Sequence, residues 1–235
     1  MPPRGSPSNA ARSPERAHPY HPKRAIPPRH PERAERVEGP PRHPKHHSKG
    51  NPMAKTVSLT LPLSREDVAN LEAGDEVLLS GPVYTMRDAG HERALQCLED
   101  TGRLPFNLEG ATLFYAGPTP AAAGRPLGSV GPTTASRMDF ATPQLFAAGI
   151  VAAIGKGKRS PEVVQACKET GSVYLCTVGG IAALLAKAVT ASEMIGWEDL
   201  GTEALRKLEL KDFPAYVAVD TKGRDLYRQI EQAAH

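Results

Sequence analysis

Cysteine is scarce and scattered in this 235-residue sequence: Cys97, Cys167 and Cys176 form no C-x-x-C pair and are odd in number. That pattern excludes a disulfide framework and fits reduced thiols in a cytoplasmic protein. No apolar run reaches the roughly 18 residues needed to span a bilayer, so no membrane association is expected. Large apolar residues are almost missing from residues 1–52, where Tyr20, Ile26 and Val37 stand nearly alone. Such a stretch cannot bury enough surface to offset its ordering entropy, and residues 1–54 are expected to form a disordered tail.

The tail holds thirteen of the 23 prolines and six of the eight histidines. Eleven Lys and Arg face four Glu there, a net of +7, whereas residues 53–235 carry eighteen against twenty-two, a net of −4. The basic balance therefore belongs to the tail, and overall charge gives no reason to expect a nucleic-acid partner for the body. His18, His21, His30, His43, His46 and His47 are interleaved with Pro and Arg, a composition that reads as a basic unstructured tail rather than a metal site. No apolar segment follows the charges, so the tail is not expected to be a signal peptide. Met53-Ala54-Lys55 opens the first patterned segment, and Met53 is expected to be the true start, with residues 1–52 upstream sequence read in frame. The 183 residues from Met53 suffice for one domain with a substantial core, taken as 55–235.

Along that domain, Val57 to Leu61 alternates as a short strand, and Ser64-Arg65-Glu66-Asp67 is a capping signature for a helix ending near Asn70. A strand from Glu76 to Ser80 is expected to break at Gly81-Pro82 before a second run to Arg87. Asp88 is placed to cap a helix to about Asp100, closed by Gly102. Further strands are predicted at Ala111–Ala116, Ile150–Ile154 and Val173–Cys176. Helices are predicted after Thr142-Pro143, between Ser160 and Gly171, and from Gly179-Gly180 to about Val189. A strand near Glu193–Trp197, a short helix over Thr202–Leu208 and a last strand, Tyr216–Val219, complete the pass. The alternation in the second half implies a largely parallel sheet covered by helices there, and an α/β fold with a mixed, partly parallel sheet is expected for the whole domain.

Gly128 to Asp139 is the stretch with most chemical content. Its Gly131-Pro132 turn is followed by Thr133, Thr134 and Arg137. Free backbone N–H groups, two hydroxyls and a guanidinium together suit a carboxylate or phosphate, although a Gly-Pro turn with a surface Arg accounts for the same residues. Arg87 ends a predicted strand, where α/β sheets place their ligands, or else pairs on the surface with Asp88 or Glu92. Lys156 lies between Gly155 and Gly157. A phosphate-binding P-loop is excluded there, because position 150 is Ile and position 157 is Gly. A dinucleotide fingerprint fails at Ser160, where the third Gly belongs. His91 could serve as an acid or base, but a helix-surface or capping role accounts for it better. The cysteines lack iron–sulfur spacing and read as buried structural thiols.

Thr85-Met86-Arg87-Asp88-Ala89-Gly90-His91, then Gly131 through Asp139, Gly155-Lys156-Gly157 and Val178-Gly179-Gly180 occur in this order. Together they resemble the beta subunit, or C-terminal domain, of the iron–sulfur hydro-lyases, class I fumarate hydratase and L(+)-tartrate dehydratase. The resemblance covers essentially all of 55–235 and leaves the tail without a counterpart. It implies a swivelling β/β/α domain. The implied activity is reversible hydration of fumarate to malate, with tartrate dehydration as the alternative. The stretches 155–160 and 197–204 look more like two-subunit fumarases. The resemblance further implies a hetero-oligomer in which a [4Fe-4S] cluster, the Lewis acid, is ligated by an alpha subunit and not by this chain. Carried over position by position, Arg87, Thr133, Thr134, Arg137 and Lys156 would bind the C4 dicarboxylate, with Thr133 the implied catalytic base. A non-catalytic anion-binding module is the rival of another class.

Overall fold

A computed structural model describes residues 55–121 and 123–234. The expectations for residues 1–54 lie outside these. Seven strands and six helices follow in the order β1 (Thr56–Thr60), α1 (Arg65–Ala69), β2 (Glu76–Thr85), α2 (Asp88–Thr101), β3 (Thr112–Phe114), α3 (Thr142–Ala147), β4 (Ala152–Gly155), α4 (Pro161–Thr170), β5 (Val173–Cys176), α5 (Ala182–Leu185), β6 (Val189–Gly196), β7 (Leu205–Val219) and α6 (Leu226–Ala233). No helix among the described residues is long and apolar enough to cross a membrane.

The sheet is mixed. Strand order is β1-β2-β3-β4-β5-β7-β6, and β2 also pairs with β7. β1 through β5 pair in parallel, while β7 runs antiparallel to β5, β2 and β6. Strands β2, β3, β4, β5 and β7 thus close into a ring. Side-chain alternation sorts the residues of each strand between two cores. Phe114, Ile154 and Leu175 face the ring interior with Leu79, Val83 and Phe213. Their neighbours Tyr115, Ala153 and Tyr174 face outward, under Ala94 of α2, Phe146 of α3 and Val163 of α4. Strands covered on both faces explain the nearly continuous apolar runs.

Local signals placed several elements well. Ser64 Oγ accepts from the Asp67 N–H while the Asp67 carboxylate accepts from the Ser64 N–H, a complete capping box. Gly102 and Gly171 close α2 and α4 in the left-handed conformation. Other expectations need correction. Gly81-Pro82 does not end the strand: β2 runs on to Thr85 with a register shift at Gly81, whose φ of 117° suits a bulge. Between the last β1 pair at Ser80 and the first β3 pair at Tyr84, one side of β2 has no neighbour, so Pro82 is tolerated. The helix expected over Thr202–Leu208 is instead a 3-10 turn, Glu198–Glu203, followed by β7, fifteen residues long. Leu205 and Leu208 are three apart as in a helix, but pairing with β2 overrides that spacing. The helix expected from Gly179 to Val189 shrinks to α5 and one 3-10 turn before β6 begins. Arg87, not Asp88, is the N-cap residue of α2. α6, not among the expected elements, is capped by Asp225, whose carboxylate accepts from the Tyr227 N–H.

Candidate functional site

The site lies where parallel strands end. Tyr115, just past β3, donates its N–H to the Ile154 carbonyl at 2.8 Å, and its own carbonyl accepts from Thr133 N–H at 2.6 Å. Lys156 N–H donates to the Thr133 carbonyl at 3.2 Å, and Ala135 N–H donates to the Lys156 carbonyl at 2.8 Å. Residues 133–135 are therefore wedged between the ends of β3 and β4, with a parallel bridge between Thr134 and Lys156. The wedge needs Gly155: a Cβ there would lie 2.9 Å from Ala135 Cβ and 3.1 Å from the Tyr115 ring. Such C-terminal edges are where α/β sheets bind ligands.

Arg87 comes from the end of β2, next to β3, and Arg137 from a 3-10 turn, Ala135–Met138. Asp88 joins them. Arg137 Nε donates to Asp88 Oδ1 at 2.9 Å, and its Nη2 lies 2.9 Å from Oδ2. Arg87 Nη2 stands 3.9 Å from Asp88 Oδ2 and 3.6 Å from Glu203 Oε1. Glu203 also accepts the Ala89 N–H at 3.0 Å, at the positive end of α2. Arg87 passes so close to Gly117 that a Cβ there would meet its Nη1 at 3.1 Å. Arg137 is half exposed, and Arg87 is mostly covered. Lys156 lies over Gly179 and has no ion-pair partner among the described residues. The hydroxyls of Thr133 and Thr134 likewise accept and donate nothing among the described residues. All five sequence-predicted residues thus belong to one continuous edge: Arg87 and Arg137 linked through Asp88, Thr133, Thr134 and Lys156 through backbone.

A buried polar layer runs beneath. Arg159 donates from Nε to Asp139 Oδ1 and from Nη2 to Thr142 Oγ1, both at 2.6 Å. Burial works to lower its pKa, but Tyr115, Asp139 and Tyr174 outweigh this and leave it raised. His91, expected on the helix surface or as a cap, is fully buried. Its Nδ1 lies 2.8 Å from the Arg87 carbonyl, and a carbonyl only accepts, so Nδ1 carries the proton. Burial pulls its pKa down to about 4, against the backbone hydrogen bond that raises it, so the ring is neutral near pH 7. Sequence reasoning missed Asp88 as a bridge, Glu203 and Arg159. Asp139 and Arg159 did stand inside the quoted stretches, as charges beside Met138 and the Ser160-Pro161 cap.

The Fumarase C-terminus family matches residues 31–230. The chain belongs to that family. The match reaches back into the segment that the sequence reading left without a counterpart. Among relatives of this Fumarase C-terminus chain, the aerobic class I fumarate hydratase of Escherichia coli K12 is 37% identical over 77% of this chain and 34% of its own length. The putative L(+)-tartrate dehydratase subunit beta of Methanocaldococcus jannaschii is 34% identical over 74% of this chain and 92% of its own length. The Escherichia coli K12 L(+)-tartrate dehydratase subunit beta is 32% identical over 72% of this chain and 85% of its own length. The chain spans about a third of the length of the fumarate hydratases it matches, but nearly all of the beta subunits.

The thiols do not suit a cluster. Cys167 is buried in α4, and burial pushes its pKa up to about 12, the reverse of what a thiolate ligand needs. Cys97 sits in α2 and Cys176 at the end of β5, both half-buried rather than buried as expected. No group of three or more His, Cys, Asp or Glu converges among the described residues.

Proposed function

We propose that this chain is the beta-type subunit of a cytoplasmic hydro-lyase that reversibly hydrates fumarate to malate, and that it supplies the carboxylate-binding half of the site. What carries the reading is the gathering of Arg87, Arg137, Lys156 and two unengaged threonine hydroxyls at the ends of three neighbouring parallel strands. Asp88 fills the Nε/Nη2 side of Arg137, which leaves the end-on Nη1/Nη2 pair for a substrate carboxylate. Lys156 completes that carboxylate's charge balance, and Arg87 lends positive potential from the helix end. Removing a proton beside a carboxylate builds negative charge there, so these cations favour the transition state over the ground state. Thr133 is the base in this reading: its hydroxyl first loses its own proton to solvent, the site's cations stabilise the alkoxide, and the alkoxide returns to the hydroxyl by taking the substrate proton. The [4Fe-4S] cluster is assigned to an alpha-type partner subunit, since the thiols here do not suit it.

The test is steady-state kinetics of the reconstituted alpha–beta complex. Arg137→Lys keeps the charge and loses the planar fork, and should lower kcat/KM about tenfold, about 1.4 kcal/mol. Arg137→Ala should cost more. Near-normal rates for Arg137→Ala on both fumarate and L-tartrate, with the complex intact, would remove this edge from catalysis. The second reading, tartrate dehydration to oxaloacetate, is favoured by the length match to the beta subunits. The ratio of kcat/KM on the two substrates separates the two readings.

A further inference from the structure

The two halves of the site meet again below its surface. Arg159 follows Lys156 by three residues, and its side chain is entirely covered. Besides Asp139 and Thr142 it stacks on Tyr174 at 4.7 Å and on Tyr115 at 5.4 Å. Asp139 follows Arg137 by two residues, and its second oxygen accepts the Ser160 N–H at 2.8 Å. One carboxylate thus ties the Arg137 turn to the Lys156 loop. The Tyr174 hydroxyl donates to the Gly157 carbonyl at 3.0 Å and fixes the same loop from β5. Tyr115 shares a hydrogen bond with Thr142 at 3.0 Å and packs edge-on against His91, which holds the Arg87 carbonyl.

Packing alone does not call for arginine here. Burying a guanidinium carries a desolvation penalty that an ion pair seldom outweighs, and an apolar side chain of similar volume serves a core as well. Arg159 Nη1 is moreover buried with no partner among the described residues, so the group is not optimised for stability. What an apolar residue would not supply is a directed tie to both loops.

We infer that Arg159 is a positioning residue: through Asp139 it sets the Thr133–Arg137 turn against the Lys156 loop. Its kinetic consequence rests on the hydro-lyase reading above. The experiment uses the full chain in complex with its partner, as Arg159→Met and Arg159→Lys, with Arg137→Ala alongside. Reacting groups displaced by about an ångström lose on the order of 10²-fold in rate. Arg159→Met should therefore lower kcat by about tenfold to a hundredfold, a larger change than any rise in KM, and Arg159→Lys should recover part of the loss. Amide exchange should quicken at residues 133–139 and 155–160 and not elsewhere. A purely structural Arg159 would instead lower Tm and leave kcat per folded molecule and local exchange near wild type, and that result overturns the inference. Should Arg159→Met fail to fold, Arg159→Lys decides alone: wild-type kcat and exchange would refute the positioning role. If Arg137→Ala stays active on both substrates the hydro-lyase reading fails, while the exchange pattern still decides for or against Arg159.

Discussion

The core inside the ring and the core under the helices are built from the same strands but enclose different chemistry. Phe114 and Tyr115 are adjacent in sequence and point to opposite sides. Inside, Phe114 meets Phe213 edge-on at 5.4 Å among aliphatic side chains. Outside, Tyr115 belongs to a layer with Tyr174, His91, Thr142 and Arg159. Buried polar groups must be matched in direction as well as volume, so they constrain geometry in a way aliphatic groups do not. That layer lies directly beneath the edge carrying Arg87, Thr133, Arg137 and Lys156. On the inference drawn for Arg159, labour is divided between the two: the aliphatic ring core holds the fold together, and the polar helix-side core orients the edge above it.

The largest effect should come from the ring. Phe213→Ala removes a fully buried ring and should cost about 3–5 kcal/mol in denaturant unfolding, with kcat per folded molecule unchanged. Lost activity in a variant of normal stability would erase the division. The helix-side core should show itself through pH. His91 titrates near 6.5 when unfolded and at about 4 when folded. The unfolded chain therefore binds the proton first, and stability present above pH 6.5 falls as the pH drops through about 4. The loss is on the order of 3 kcal/mol. His91→Asn should flatten this slope in stability measured from pH 7 to pH 4, and an unchanged slope would mean that other groups carry it. The smallest effect on stability belongs to the surface. Asp88→Asn loosens a half-exposed ion pair and should change stability by less than about 1 kcal/mol, yet raise KM for the proposed dicarboxylate substrate several-fold as Arg137 loses its anchor. Equal loss of stability and activity would show that Asp88 belongs with the structural residues.

The site candidates themselves were legible because they stand in short stretches whose composition is unusual: paired threonines after Gly131-Pro132, and a lysine between two glycines. Their partners were not. Arg137 finds Asp88 across 49 positions and Arg159 finds Asp139 across 20, and no spacing rule reaches that far. His91 was misread for a related reason. A polar residue one turn into a helix reads as exposed unless the neighbouring tyrosine and the covering helix packing are known.

By itself the sequence determined what depends on neighbours within a turn: the Ser64 capping box, α4 between Ser160 and Gly171, the apolar strand Val173–Cys176, and the α/β class. Only the tertiary structure decided that Leu205 to Val219 forms one strand, because its partner along most of that length is β2, more than a hundred residues earlier. It likewise decided which charges are buried and paired. Local propensity is worth fractions of a kcal/mol per residue, whereas sheet pairing and burial act on whole segments and override it.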